Sequence, residues 1–217
     1  MRKPESPEAT DFVGPSGNAT DKYGSKNPFT RRLLARFLQQ IDTFVRAAGP
    51  ASILDVGCGE GVVTERLANV TAALTIGVDL EVEALRRQWQ RRESERVSFR
   101  AASAYDLPFG DQSFDCVCAL EVLEHLERPR DALAELVRVA RRTLLLSVPR
   151  EPLWRVSHML AGRDVRSLGN TPGHINHWSS KGFEHLVSEF GRVTRVRRPF
   201  PWTIVLVESS GTGAADL

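Results

Sequence analysis

The chain has 217 residues, is 41% hydrophobic and 26% charged, and carries a formal net charge of +2. That size suits one domain around a single buried core, and basic residues scattered among acids, as in Arg91 to Arg96, exclude the long basic tract of a nucleic-acid binder. No apolar run has the length of a signal-peptide core or a membrane helix, so the sequence predicts a cytoplasmic protein with no nucleic-acid partner and no integral membrane segment.

Residues 1–27 are rich in Pro, Gly, Ser, Thr and Asp. With few large apolar groups they cannot bury enough surface to fold alone, and a flexible arm is expected there. A helix is predicted to open at Asn27-Pro28, where Asn27 caps and Pro28 suits the first turn. Leu33, Leu34, Phe37, Leu38, Ile41, Phe44 and Val45 then recur at helical spacing until Gly49-Pro50 ends it. Strands are predicted at 52–56, 74–79, 97–102, 114–119, 143–148, 193–198 and 203–208, with further helices at 61–69, 81–91, 129–141 and 179–190. Alternation of this kind implies a mainly parallel sheet covered on both faces. The last two strands are separated only by Pro199-Phe200-Pro201, which predicts an antiparallel hairpin at the end of the sheet. The expected fold class is therefore α/β, a doubly wound, seven-stranded and mainly parallel sheet with an antiparallel last strand. The domain runs over 28–209, and 210–217 is expected to be a disordered tail.

The densest signal is Ile53-Leu54-Asp55-Val56-Gly57-Cys58-Gly59-Glu60-Gly61, an apolar strand that ends near an acid and runs into alternating glycines before a helix. Glycines so placed allow a tight turn and let a ligand approach the main chain. A dinucleotide fingerprint needs its third glycine one position later, where this chain has Val62. The next strand, Leu74 to Asp79, ends in a carboxylate that suits both hydroxyls of a ribose. Of the three cysteines, Cys58 lies in the loop and Cys116 and Cys118 share one strand face, so they read as small apolar residues of a reducing compartment.

Together with Asp106-Leu107-Pro108-Phe109 and Val122-Leu123-Glu124-His125-Leu126, these segments resemble the class I S-adenosylmethionine-dependent methyltransferases, in particular the small single-domain type, over roughly residues 30 to 208. The resemblance implies a Rossmann-like fold, S-adenosylmethionine as cofactor and S-adenosylhomocysteine as product. It implies that Asp55 holds the loop, that Gly57, Cys58, Gly59 and Gly61 line the methionine and ribose, and that Asp79, with Leu80 beside it, takes the ribose hydroxyls. Many relatives carry an aspartate after the third strand for the adenine amino group; this chain has Ser103 there, with Ala104 and Tyr105 adjacent. Ala119 and Glu121, after the fourth strand, are expected to face the methionine moiety.

For the acceptor, the interval 150–178 interrupts the alternation of strands and helices beyond the fifth strand, where ligands of such sheets bind. It is expected to be the acceptor lid. Trp154, Arg155, His158 and Arg163 within it, with Tyr23 of the arm and His125, are candidate contacts for a small-molecule acceptor. His174 and His177 are the candidate bases, because an imidazole accepts a proton near neutral pH. No carboxylate or cysteine nearby in sequence completes a tetrahedral set with them, so no metal is expected. The expected activity is methyl transfer to O, N or C of a metabolite, natural product, lipid or quinone precursor. The alternatives are methylation of a protein side chain and a noncatalytic cofactor-binding subunit.

Overall fold

The computed structural model describes residues 27–80, 82–151 and 174–209. The arm before Asn27, most of the 150–178 interval and the 210–217 tail lie outside the described residues. Helix α1 spans Pro28–Ala48; Asn27 Oδ1 accepts from the amides of Phe29 (2.9 Å) and Thr30 (3.5 Å), and Gly49 ends the helix in the left-handed region. There follow β1 (Ser52–Val56), α2 (Val62–Thr71), β2 (Leu74–Asp79), α3 (Glu83–Gln90), β3 (Val97–Ala101), β4 (Phe114–Leu120), a single 3-10 turn (Leu123–His125), α4 (Pro129–Val139), β5 (Ala140–Pro149), α5 (Ser180–Ser188), β6 (Gly191–Arg197) and β7 (Trp202–Ser209).

The seven strands form one sheet in the order β3-β2-β1-β4-β5-β7-β6, with β3 to β5 parallel and β7 antiparallel to both its neighbours. The expected end-of-sheet hairpin is thus realised with β7 inserted between β5 and the edge strand β6. One difference concerns α4, which stops at Val139 and passes without a linker into β5, whereas the sequence reading ran the helix to 141. Ala140 is fully buried and pairs with Phe114, so strand pairing captures a residue that helix propensity alone would keep.

Period-two alternation divides the core between the two faces. Leu54, Val56, Val117, Ala119, Leu144, Leu146, Val205 and Val207 point one way and pack with α4 and α5. Ile53, Cys116, Cys118, Leu145, Ile204 and Leu206 point the other way, against Phe37, Ile41 and Phe44 of α1 and Leu67 of α2. Cys116 and Cys118 serve as small core residues, as expected, with their sulfurs 3.9 Å apart and unbridged. Each fully buried leucine in these layers contributes roughly 1.5–3 kcal/mol relative to exposure.

Strand order reverses between β1 and β4, and the register puts Asp55, Gly77 and Phe99 side by side across β1, β2 and β3. A crevice at the carboxyl ends of the strands is the consequence. Gly77 leaves the space that Phe99 fills, because a Cβ there would stand 2.7 Å from Phe99 Cδ1 and 3.0 Å from Cys58 Sγ. Gly77→Ala is therefore expected to destabilise the protein by about 1–3 kcal/mol, the usual cost of overpacking, read as a lower urea midpoint at constant slope; an unchanged midpoint would show that Phe99 yields freely.

Candidate active site

The chain turns back across the ends of β1 and β2 in the Gly57–Gly61 loop. Gly57 and Cys58 donate their amides to Val78 O (2.8 and 3.0 Å), and the Gly59 amide donates to Asp79 Oδ2 (2.7 Å). Trp89 of α3 donates its indole N–H to Gly59 O at 2.7 Å and stacks on Phe99 with centroids 5.5 Å apart. Gly57 and Gly61 have φ of 74° and 79°, in the left-handed region. What a side chain at them would strike differs from the sequence expectation of ligand clearance. A Cβ at Gly57 would lie 2.4 Å from Val122 Cγ2, and one at Gly61 would lie 2.5 Å from the Phe99 ring. The protein's own packing demands these two glycines.

Three carboxylates converge on the loop. Asp55 is 2% exposed and accepts from Thr64 Oγ1 at 2.7 Å. Burial pushes its pKa up to about 7, opposed by the Thr64 hydrogen bond and reinforced by the neighbouring Asp79. Asp79 is also raised by burial, opposed by the amides of Gly59 and Leu80, the latter donating to Oδ1 at 2.7 Å. Burial, and then the charges of Asp55 and Asp79, push the Cys58 thiol far above its ordinary range, so it stays protonated.

The third carboxylate, Glu121, sits at φ 62° just past β4. Its Oε1 accepts from Ser147 Oγ (2.9 Å), its Oε2 from Trp202 Nε1 (2.6 Å), and its amide donates to Ser147 O (3.1 Å). Such bonds hold a residue in a backbone conformation it otherwise avoids. Trp202 in turn packs on Phe37 of α1, with centroids 4.8 Å apart.

These elements enclose a cleft of about 80 Å³. Of the residues expected to hold the cofactor, Asp55, Gly57, Cys58, Gly59, Asp79 and Glu121 line it; Gly61, Leu80, Ser103, Ala104, Tyr105 and Ala119 do not. Gly61 packs on Phe99, and Ala119 is fully buried in β4. Ser103 closes a turn, its Oγ accepting from the Tyr105 amide (3.2 Å) and its carbonyl from the Asp106 amide (3.1 Å). Tyr105 is engaged by Arg128, whose amide donates to its hydroxyl (3.2 Å) and whose guanidinium lies 4.8 Å from the ring centroid. Sequence reasoning missed Leu34, Phe37 and Trp202 in the lining. It also missed Trp89, Thr64 and Ser147 as the anchors of the loop and its carboxylates. Residue type was their only signal, because each partner is remote in sequence.

On the acceptor side, His174 and His177 part company. His177 Nδ1 stands 3.5 Å from Glu151. His174 is 6% exposed and lies edge-on to His125, with centroids 4.9 Å apart, beside the buried Glu124. The reason for expecting no metal is corrected here: no carboxylate stands near His174 in sequence, but the fold brings Glu124 against it. Tyr23, Trp154, Arg155, His158 and Arg163 lie outside the described residues.

Residues 54–146 match a methyltransferase domain family. O-methyltransferase cnsE of Penicillium expansum is 39% identical over 110 residues, which cover 49% of this chain and 40% of that protein. Demethylmenaquinone methyltransferase of Roseiflexus sp. is 29% identical over 189 residues, 81% of this chain and 79% of the relative. The chain spans only 26% to 49% of the length of the first five curated relatives. Among solved structures, magnesium protoporphyrin IX methyltransferase from Synechocystis, with bound S-adenosylhomocysteine, superposes with a TM-score of 0.65 at 20% identity, covering 86% of this chain and 90% of that one. At that identity the likeness is one of fold. By the domain match over 54–146 and the doubly wound sheet, the chain is similar to the class I S-adenosylmethionine-dependent methyltransferases.

Proposed function

We propose that the protein transfers the methyl group of S-adenosylmethionine to oxygen, nitrogen or carbon of a small molecule, such as a metabolite, natural product, lipid or quinone precursor. The observation that carries this reading is the convergence of Asp55, Asp79 and Glu121 on the glycine loop in one cleft. The cofactor has a sulfonium and an ammonium group, and a cleft walled by carboxylates suits a cation. The names O-methyltransferase cnsE and probable tocopherol O-methyltransferase among the relatives favour an oxygen acceptor.

The residues present fit the cofactor. Each Asp79 oxygen accepts one amide and retains a second lone pair for a ribose hydroxyl. Glu121 accepts from Ser147 and Trp202 through its two oxygens, and Asp55 takes the ammonium end in this reading. Ser103, Ala104 and Tyr105 are assigned to the adenine side, and Leu80, Ala119 and Gly61 to support of the cleft. When bound, the cofactor supplies an electrophilic methyl group; the chain's part is to align donor and acceptor and keep water out. We place the acceptor beside Glu124, His125 and His174, with residues 150–178 as its insertion, since Arg150 pairs with Trp178 and the interval leaves and rejoins the fold at one point beyond β5.

The reading is tested by incubating the protein with radiolabelled S-adenosylmethionine and a metabolite extract. Label in organic-extractable small molecules is expected; label confined to protein, or none despite cofactor binding, would reject the small-molecule assignment. By calorimetry, Asp79→Ala should weaken cofactor binding by about 1.5–3 kcal/mol, the range for hydrogen bonds to a charged acceptor. Unchanged affinity in the folded variant would reject the ribose assignment.

Asp55 gives the pH dependence. A cation binds its ionised form, so cofactor affinity is expected to rise from pH 6 to pH 8 across the pKa of about 7 and to flatten in Asp55→Asn. Stability runs the other way. A folded pKa raised from 3.8 to about 7 means that the contribution of this group is present below the unfolded value and is lost as pH rises through the folded one. Without ligand, Asp55→Asn should therefore melt above the parent at pH 8, with a smaller gap at pH 5. A gap that grows on acidification would overturn the assignment.

A further inference from the structure

We infer that Glu124, His125 and His174 bind one divalent transition-metal cation. One ligating atom from each of the three lies within 4.8 Å of the other two. The Glu124 side chain is 2% exposed, and the His125 Nε2 is 4.0 Å from Glu124 Oε1. The two imidazoles stand close together, with centroids 4.9 Å apart and planes at 76°.

The cluster is held together by hydrogen bonds to backbone carbonyls of the turn. The amides of Ile175 and Asn176 donate to Glu124 O (2.9 and 3.1 Å), and Asn176 Nδ2 donates to Leu123 O (3.2 Å) and Leu126 O (2.6 Å). The segment carrying His174 is thereby laced to the 3-10 turn carrying Glu124 and His125. Two imidazoles and one carboxylate are the donor set of three-ligand zinc sites and of facial-triad iron sites, both of which keep a position open. Metal–ligand bonds of about 2.0–2.2 Å require the donors to draw in by about 1 Å. His125, the most exposed of the three, has room to turn. A dication also offsets the cost of a carboxylate held so deep in the fold.

The turn begins two residues after Glu121, so the cation lies on the cofactor-cleft side of the sheet, at the carboxyl end of β4. That its open position receives an acceptor oxygen rests on the methyltransferase reading; the binding of the cation does not.

The test uses the full chain without a histidine tag, stripped by a chelator and titrated with Co²⁺ alone, followed by visible absorption. One Co²⁺ per chain is expected, with d–d bands and no thiolate charge-transfer band, and displacement by Zn²⁺. Glu124→Gln and His174→Ala should each weaken binding at least about 10-fold, since even a residue that merely supports a ligand is worth 10- to 100-fold in affinity. His125→Ala, at a partly exposed ring, examines the same site if a buried substitution fails to fold. No Co²⁺ taken up beyond that of the His125→Ala protein, or a thiolate band, would overturn the inference. S-adenosylmethionine binding with no Co²⁺ uptake would remove this site and leave the methyltransferase reading; Co²⁺ uptake without methyl transfer would do the reverse.

Discussion

The hydrogen bond from the Gly59 amide to Asp79 Oδ2 is the constraint on which the site depends. It joins the loop after β1 to the end of β2 and so fixes where two of the three carboxylates stand. For the bond to form, the chain must reverse within a few residues, and the reversal is wedged between Val122 on one side and Phe99 on the other. The loop is therefore not a pliant strap awaiting a ligand. Its shape is set by packing that exists without one, and Trp89 closes the arrangement by tying Gly59 O to α3.

That rigidity keeps like charges together at a cost. Asp79 adds to the burial that makes Asp55 hard to ionise, burial also raises Asp79, and Glu121 is held at a positive φ by bonds from two other strands. None of these features is what the fold alone would choose, since an apolar residue in place of Asp55 would pack without an ionisation penalty. Carboxylates held together against an ionisation cost are the pattern expected where stability has been exchanged for binding.

The sheet was legible in the sequence because its signals are local. Apolar runs, the acids at their ends and the punctuating glycines and prolines located every strand of β1 to β7 within a few residues, and Asn27 announced α1 by its side chain. The cleft was legible in part, since Asp55, Gly57, Gly59 and Asp79 lie on one short stretch and the strand beside it. Of its other wall Glu121 was expected, but the bonds that fix it were not. Glu121 is locked by Trp202 from 81 positions away, and nothing in the local pattern of either distinguishes that bond from ordinary burial. The same holds for Glu124 and His174: spacing along the chain speaks only for partners on one element, so a cluster divided between a 3-10 turn and the approach to α5 left no periodic trace.

The proposed division of the chain between donor and acceptor rests on where these residues fall. The methyltransferase domain match covers 54–146, a span holding Asp55, Asp79 and Glu121, and these rest on strand ends whose register the parallel sheet fixes. Ile175 with Asn176, and Trp202, lie beyond that span, the first two clamping a turn inside it and Trp202 clamping Glu121. Each is thus a point where the later part of the chain acts on machinery supplied by the earlier part. Substitution in the later part can therefore reshape the surroundings of Glu121 and of the 3-10 turn while leaving the loop, Asp55 and Asp79 untouched.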